Sequence, residues 1–134
     1  MARKPLPTRE APSKNLRFSF EFYDTLRPEY CLSNWTPEQI LLTLHRLKDV
    51  SAKTLKELVA QRHTYHFYET AWEQTIEPKG FLDPRVNQLD PFHFALLGVN
   101  GQKARIYGAL AEDTCYIVWF DLYHHIWPTF QKHT

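Results

Sequence analysis

Alternating hydrophobic and polar residues predict one strand near the start of the chain and others near its end. Residues 16–23 read LRFSFEFY, with an apolar side chain at every second position, which is the period of a half-buried strand. Residues 115–120 read CYIVWF, and an apolar run of this length is typical of a strand that is covered on both faces. The pattern therefore predicts a sheet that uses both ends of the chain.

Turn signals divide the last third of the chain into three strands. Asn100-Gly101 separates PFHFALLGV from QKARIYGAL, and this dipeptide favours a type I′ hairpin turn because both central residues need a positive φ. A second turn at Glu112-Asp113 leads into TCYIVWFD. We expect an antiparallel meander in which residues 92–98 pair with residues 102–110.

Helical spacing follows the first strand. Thr36 and Gln39 form a capping box, with Pro37 at the first helical position, which marks a helix start. A second helix is predicted to start at Ser51. The expected apolar stripes are Ile40, Leu41, Leu44 and Leu47 in the first helix and Leu55, Leu58 and Val59 in the second. This spacing predicts an αα-hairpin that lays its leucines on the sheet.

The order of these elements, β-αα-(β)-βββ, predicts an α+β fold. A mostly antiparallel sheet would carry the αα-hairpin on one face, and the bracketed strand is the aromatic run at 65–69. Residues 70–91 form a long loop, of the kind that is functional or covers another part of the protein. Residues 1–15 are expected to be a flexible basic arm, and residues 16–134 a single domain.

The composition indicates a globular protein with balanced charge. Hydrophobic residues make up 43% of the chain and the net charge is +1, which argues against a strongly acidic or basic partner surface. No apolar segment reaches the roughly 18 residues that span a bilayer, and the N-terminus lacks the apolar stretch of a signal peptide. We therefore expect a cytoplasmic protein without a membrane partner.

Candidate catalytic groups lie in the meander. Lys103, Arg105 and Tyr107 alternate to one side of the second strand, and we expect this polar side to face away from the core. Arg105 would hold a phosphate, since its guanidinium is planar and always charged. His124 has the intrinsic pKa for proton transfer near neutral pH, and Asp121 would orient its imidazole.

The same residues have a simpler interpretation. Lys103 and Arg105 beside a turn are most often solvated, and a histidine at a strand end is most often a surface residue. If a site exists, Lys103, Tyr107 and His125 are its expected substrate-binding groups. The histidines lack an adjacent cysteine or an H-E-x-x-H spacing, so neither a metal nor another cofactor is predicted.

The predicted topology resembles the RelE/ParE toxin superfamily of bacterial toxin–antitoxin systems over about residues 16–128. The chain is also similar to a group of small bacterial proteins that pair an R-x-x-G strand with a W-[LF]-D-x-x-H strand end. The matching residues are Arg105 and Gly108 for the first motif, and Trp119, Asp121 and His124 for the second. Leu122 stands where that group is expected to have a proline.

This resemblance implies two alternative functions. The first is an RNase (mRNA interferase) or translation inhibitor of a toxin–antitoxin or mobile-element system, with RNA or the ribosome as target and a cognate antitoxin as partner. It would work without metal, through Arg105, His124 and Asp121. The second is a non-catalytic binding module that inhibits or regulates a protein target. The near-zero net charge favours this second alternative, because proteins that hold RNA unaided usually carry a basic excess.

Overall fold

The computed structural model of the chain describes residues 14–128 and confirms the predicted α+β class. Residues 1–13, which hold most of the predicted basic arm, lie outside the described part. The strands are β1 (Arg17–Ser19), β2 (Tyr68–Glu69), β3 (Asp90–Ala95), β4 (Arg105–Ala111) and β5 (Thr114–Asp121). The helices are α1 (Pro37–Ser51), α2 (Leu55–Ala60) and α3 (Arg62–Tyr65).

The strands form one mixed sheet in the order β1-β5-β4-β3-β2. β3, β4 and β5 are the predicted antiparallel meander, and β4 and β5 are joined by the predicted turn at Glu112-Asp113. β2 adds antiparallel to β3, but the strand predicted at 65–69 is limited to Tyr68–Glu69, because α3 extends to Tyr65. β1 pairs with β5 in the parallel direction, which is possible because the helical hairpin carries the chain back across the sheet.

The turn at Asn100-Gly101 forms, although it does not join the strands directly. Both residues have a positive φ, of 51° and 60°, and the Gln102 amide donates to the Val99 carbonyl at 3.1 Å, as in a type I′ turn. The pairing of β3 nevertheless ends at Ala95. The predicted strands 92–98 and 102–110 are too long because Gln102 also has a positive φ, of 75°, which a strand residue does not adopt.

The first strand is shorter than the alternation predicted. Its pairing ends at Ser19, whose hydroxyl accepts a hydrogen bond from the Glu21 amide at 3.2 Å. The Tyr23 amide then donates to the Phe20 carbonyl at 3.0 Å, so the chain turns where the prediction for 16–23 continued the strand. Phe20 is 53% exposed as a result.

Threonine caps define the two main helices. The predicted capping box of α1 is present, with the Gln39 amide donating to the Thr36 hydroxyl at 3.1 Å. The predicted second start at Ser51 is wrong, since Ser51 is the last residue of α1. α2 instead follows Thr54, whose box is completed by Glu57.

α1 is rotated relative to its predicted orientation on the sheet. Its buried residues are Thr43, Leu47 and Val50, whereas Leu41 and Leu44 are 55% and 57% exposed. Both sets have helical spacing, so the periodicity alone could not choose between them. The packing of the αα-hairpin on one face is confirmed, but two leucines of the predicted stripe face outward.

A second core covers the opposite face of the sheet. Tyr107 and Trp119 from the strands have no exposed surface, and Phe81 and Val86 from the loop pack on the same cluster. The loop at 70–91 therefore covers the sheet. The prediction that the polar side of β4 faces away from a core is wrong. The residues that cover this side come from a distant segment, so the sequence of the strand itself cannot indicate them.

A β-bulge in β5 allows this strand to contribute to both cores. Tyr107 pairs with Trp119 while the next residue, Gly108, pairs with Ile117, so Val118 is an extra residue in β5. Val118 and Trp119 consequently both belong to the second core, whereas Ile117 faces the helices. This accounts for the uninterrupted apolar run and makes Trp119 a core residue.

Candidate functional site

Arg105 is the first residue of β4 and lies opposite Asp121 of β5. Its side chain is turned back toward the preceding loop, where Nη1 donates to the carbonyls of Gln102 and Ala104 at 2.6 and 3.2 Å. The residue is only 7% exposed. Arg105 was expected to be a solvent-facing phosphate clamp. It is instead a buried cation whose hydrogen bonds stabilise the loop that leads into β4.

Asp121 holds the turn that follows β5. Its Oδ1 accepts from the His125 amide at 3.0 Å, and its Oδ2 accepts from the Ile126 amide at 2.8 Å. The residue is 3% exposed. Both carboxylate oxygens are therefore engaged with the main chain, which corrects the prediction that Asp121 orients the imidazole of His124.

His124 lies in this turn with a left-handed backbone, φ 62°. Its Nδ1 is buried and has no hydrogen-bond partner. Burial lowers the pKa of the imidazole, and the positive charge of Arg105 lowers it further. Arg105 and His124 thus both lie near the end of the sheet where Arg105 pairs with Asp121, and the lowered pKa of His124 disfavours its protonated form.

Tyr107, the third residue predicted on this side of β4, is fully buried. Its hydroxyl has no hydrogen-bond partner, and burial together with the negative charge of Asp121 raises its pKa above the ordinary value. A phenol in this position packs in the second core. It does not reach a substrate at the surface, which corrects its predicted role in substrate binding.

His93 also lies against Tyr107, although its position between Phe92 and Phe94 in an alternating strand predicts an exposed side chain. It is 8% exposed, stacks on Tyr107 with ring centroids 5.1 Å apart, and is joined to Thr70 Oγ1 by a hydrogen bond of 2.9 Å. Burial, and then the charge of Arg105, lower its pKa to about 3. The burial of His93 could have been inferred from its pairing with Tyr107, because paired residues of neighbouring strands share a face.

The two remaining predicted residues lie at the surface. Lys103 is exposed in the loop before β4, and His125 is exposed after β5, where its ring stacks on Tyr123 with centroids 5.5 Å apart. The predicted set is therefore divided. Arg105, Tyr107 and Asp121 are inside, His124 is partly buried, and only Lys103 and His125 are open to a ligand.

A polar cluster that the sequence did not indicate supports Trp119. The Arg27 guanidinium lies 5.4 Å from the Trp119 ring and donates to Glu77 Oε2 at 2.6 Å. The Tyr30 hydroxyl donates to the same oxygen at 2.5 Å. These residues are too distant in sequence for any local pattern to connect them, and they fix the loop onto the second face of the sheet.

An apolar groove lies on the helical side of the molecule, between α1 and the turn that ends β1. It has a volume of about 190 Å³, and its lining residues are Phe20, Tyr23, Leu32, Ile40, Thr43, Leu44, Leu47 and Phe120. Thr43 is the non-aromatic polar member, and its hydroxyl donates to the Gln39 carbonyl at 2.7 Å inside the helix. The groove therefore presents an almost wholly apolar surface.

Within residues 14–128, the structure contains no group of three or more histidine, cysteine, aspartate or glutamate side chains placed to hold a metal ion. No helix in that range is long and apolar enough to cross a membrane. Comparison of the chain with protein-family models, with curated proteins and with solved structures gave no match. The function is therefore inferred from the geometry of the chain itself.

Proposed function

We propose that the chain is a non-catalytic binding module that inhibits or regulates a protein target by docking it in the apolar groove. The observation that carries the proposal is the exposure of large apolar side chains around this groove. Phe20 and Leu44, which line the groove, are 53% and 57% exposed, and Leu41, three residues before Leu44 on α1, is 55% exposed. Contiguous apolar surface of this kind is typical of protein interaction sites.

The shape of the groove favours a helix of the partner as its occupant. Leu41 and Leu44 are three residues apart and form a ridge along α1, and such ridges pack into the grooves of a second helix. The floor next to this ridge is formed by Ile40 and Phe120. An amphipathic helix with leucine-like side chains at three- and four-residue spacing would cover both the ridge and the floor.

The state of the predicted catalytic residues supports the same proposal. A phosphate clamp and a proton-transfer group must both reach the substrate. The guanidinium of Arg105 donates to main-chain carbonyls, and Asp121 accepts from main-chain amides. These contacts give both residues a structural role, without any need for a reaction.

The test compares the wild-type protein with Leu41→Glu/Leu44→Glu, using Leu26→Glu/Leu82→Glu as a matched control. Leu26 and Leu82 are 78% and 58% exposed and are not part of the groove. Each protein is expressed with an affinity tag in a bacterium, and growth, the thermal midpoint and the proteins retained on the tag are measured. We expect a retained protein and slowed growth with the wild type and the control, and neither with the groove variant.

Equal retention by all three proteins, or retention of nothing, would contradict the proposal. Both variants should unfold at nearly the wild-type temperature, because surface substitutions change stability by about 0.5 kcal/mol or less. Light scattering on the purified chain adds a separate outcome. A wild-type dimer that the groove variant converts to a monomer would identify a second copy of the chain as the occupant, against the proposed partner.

The first alternative of the sequence, an RNase or translation inhibitor of the RelE type, is supported by one observation. Lys103 and His125 are exposed near the end of the sheet where Arg105 pairs with Asp121. In this case His124→Ala would abolish growth inhibition and cleavage of RNA added to the purified protein with ribosomes. Leu41→Glu/Leu44→Glu would leave both effects intact, so the two functions are distinguishable.

A further inference from the structure

We infer that a second groove, next to the C-terminal end of α1, binds a nucleotide through its phosphate and its base. This basic groove has a volume of about 360 Å³, within the range of small-ligand sites. Its lining residues are Arg46, Lys48, Asp49, Val50, Ala52, Lys53, Tyr65, Ala95 and Leu97. It shares no residue with the apolar groove, and the inference does not depend on the proposed function.

The basic groove contains more positive side chains than acidic partners for them. Arg46 Nη1 is paired with Asp49 at 2.8 Å, and Arg46 Nε donates to the Leu97 carbonyl at 2.7 Å. Among the ion pairs of the described residues, 14–128, none involves Lys48 or Lys53. Two ammonium groups are thus left to face an anion, although the whole chain has a net charge of only +1.

The dipole at the C-terminal end of α1 accounts for the position of one of these lysines, but not for that of the other. Cations in the last turn of a helix interact favourably with its dipole, and Lys48 of α1 is in that position. Lys53 lies beyond the end of α1, and its carbonyl accepts from the Leu16 amide at 2.8 Å. This contact with the chain just before β1 fixes the backbone that carries the second ammonium group.

The apolar part of the groove is suited to a flat ring. Tyr65 is partly buried, and the ammonium of Lys53 lies 5.9 Å from the centroid of its ring. Val50 and Leu97 complete the apolar lining. A nucleotide offers a phosphate for the two lysines and a base for the tyrosine, since bases stack readily on aromatic side chains. Inorganic phosphate would use only the charged half of the groove.

The experiment is an NMR titration of the full chain with AMP, with adenosine and with inorganic phosphate. We expect saturable shifts of the Val50, Ala52 and Tyr65 signals with AMP. Lys48→Glu/Lys53→Glu should weaken AMP binding by about tenfold or more and leave the weaker binding of adenosine unchanged. The matched control, Lys56→Glu/Lys79→Glu, reverses two exposed lysines outside the groove and should bind AMP as the wild type does.

Several results would overturn the inference. One is the absence of saturable shifts at these residues, and another is equal loss of binding in both lysine variants. If phosphate alone binds as tightly as AMP, the groove recognises an anion and not a nucleotide. A pentamer of oligoadenylate that binds more than about tenfold tighter than AMP would identify a strand-binding track in place of a single-nucleotide site.

Discussion

Asp121, Arg105 and His93 show how a single buried polar residue acquires its role from the main chain and from its neighbours. Asp121 accepts two main-chain amides, Arg105 donates to two main-chain carbonyls, and His93 is bonded to Thr70. Burial of a polar group costs free energy unless the group is paired in this way. Tyr107 Oη lacks a partner, so the cluster combines satisfied and unsatisfied groups.

The buried histidine predicts how stability depends on pH. The pKa of His93 is lowered from 6.5 to about 3, so the unfolded chain takes up a proton below about pH 6.5 that the folded protein does not bind. The free energy of unfolding should therefore fall as the pH falls from about 6.5 toward 3, by up to about 1.4 kcal/mol per pH unit. The lowered pKa of His124 acts in the same direction.

Urea unfolding of wild type and His93→Asn between pH 7.5 and 4.5 measures this effect. Asparagine keeps a polar atom toward Thr70 but does not titrate, so the variant should lose about 1 kcal/mol less per pH unit than the wild type below pH 6. His45→Asn, a change at an exposed histidine of α1, should follow the wild-type curve. Parallel curves for all three proteins would show that His93 is not neutral in the fold.

At the scale of elements, the contact between β4 and β5 depends on Gly108. A Cβ atom at this position would collide with the main-chain oxygen of Tyr116. The two strands approach closely here because the bulge at Val118 shifts the register next to Gly108. The glycine of the R-x-x-G pattern therefore has a packing explanation, as does its arginine.

Gly108→Ala should destabilise the protein by about 3 kcal/mol or more, because neither strand can move without breaking the pairing. Gly101→Ala is the comparison. Gly101 has a φ of 60°, and a Cβ atom there would meet nothing within 4 Å, so only backbone strain of about 1 kcal/mol is expected. Thermal and urea unfolding of the two variants measure the difference, and equal losses would argue against the close approach of β4 and β5.

At the scale of the whole molecule, the sheet is enclosed by two different kinds of cover. α1 and α2 cover one face with Leu47, Val50 and Leu58. Irregular segments cover the other face, with Phe81 and Val86 from the long loop and Ile126 after β5. The loop is held on the sheet by apolar burial, by the contacts of Glu77 with Arg27 and Tyr30, and by the Ile76 amide, which donates to the Ile126 carbonyl at 2.9 Å.

If the loop and the sheet enclose a true core, truncating a residue of this second core should lower the free energy of unfolding as much as truncating a residue under the helices. Phe81→Ala and Phe94→Ala, at residues 4% and 1% exposed, should each destabilise the protein by about 3–5 kcal/mol. Leu82→Ala, next to Phe81 but 58% exposed, should change stability by about 0.5 kcal/mol or less. A small loss from Phe81→Ala in urea unfolding would show that the loop is only loosely attached.

The sequence alone determined the features that depend on neighbouring residues. The capping box at Thr36, the positive φ values at Asn100 and Gly101, and the antiparallel meander follow from local steric and hydrogen-bonding preferences. The α+β class follows from the order of these elements.

Only the tertiary structure decided which side of each element is buried. Helical spacing was compatible with two orientations of α1, and packing chose the one that exposes Leu41 and Leu44. Alternation placed Arg105 and Tyr107 on a common side of β4, but the loop at 70–91 determined that this side is interior. Burial depends on residues distant in sequence, so the local pattern predicted the elements of the fold, whereas their packing determined which surfaces are available for binding.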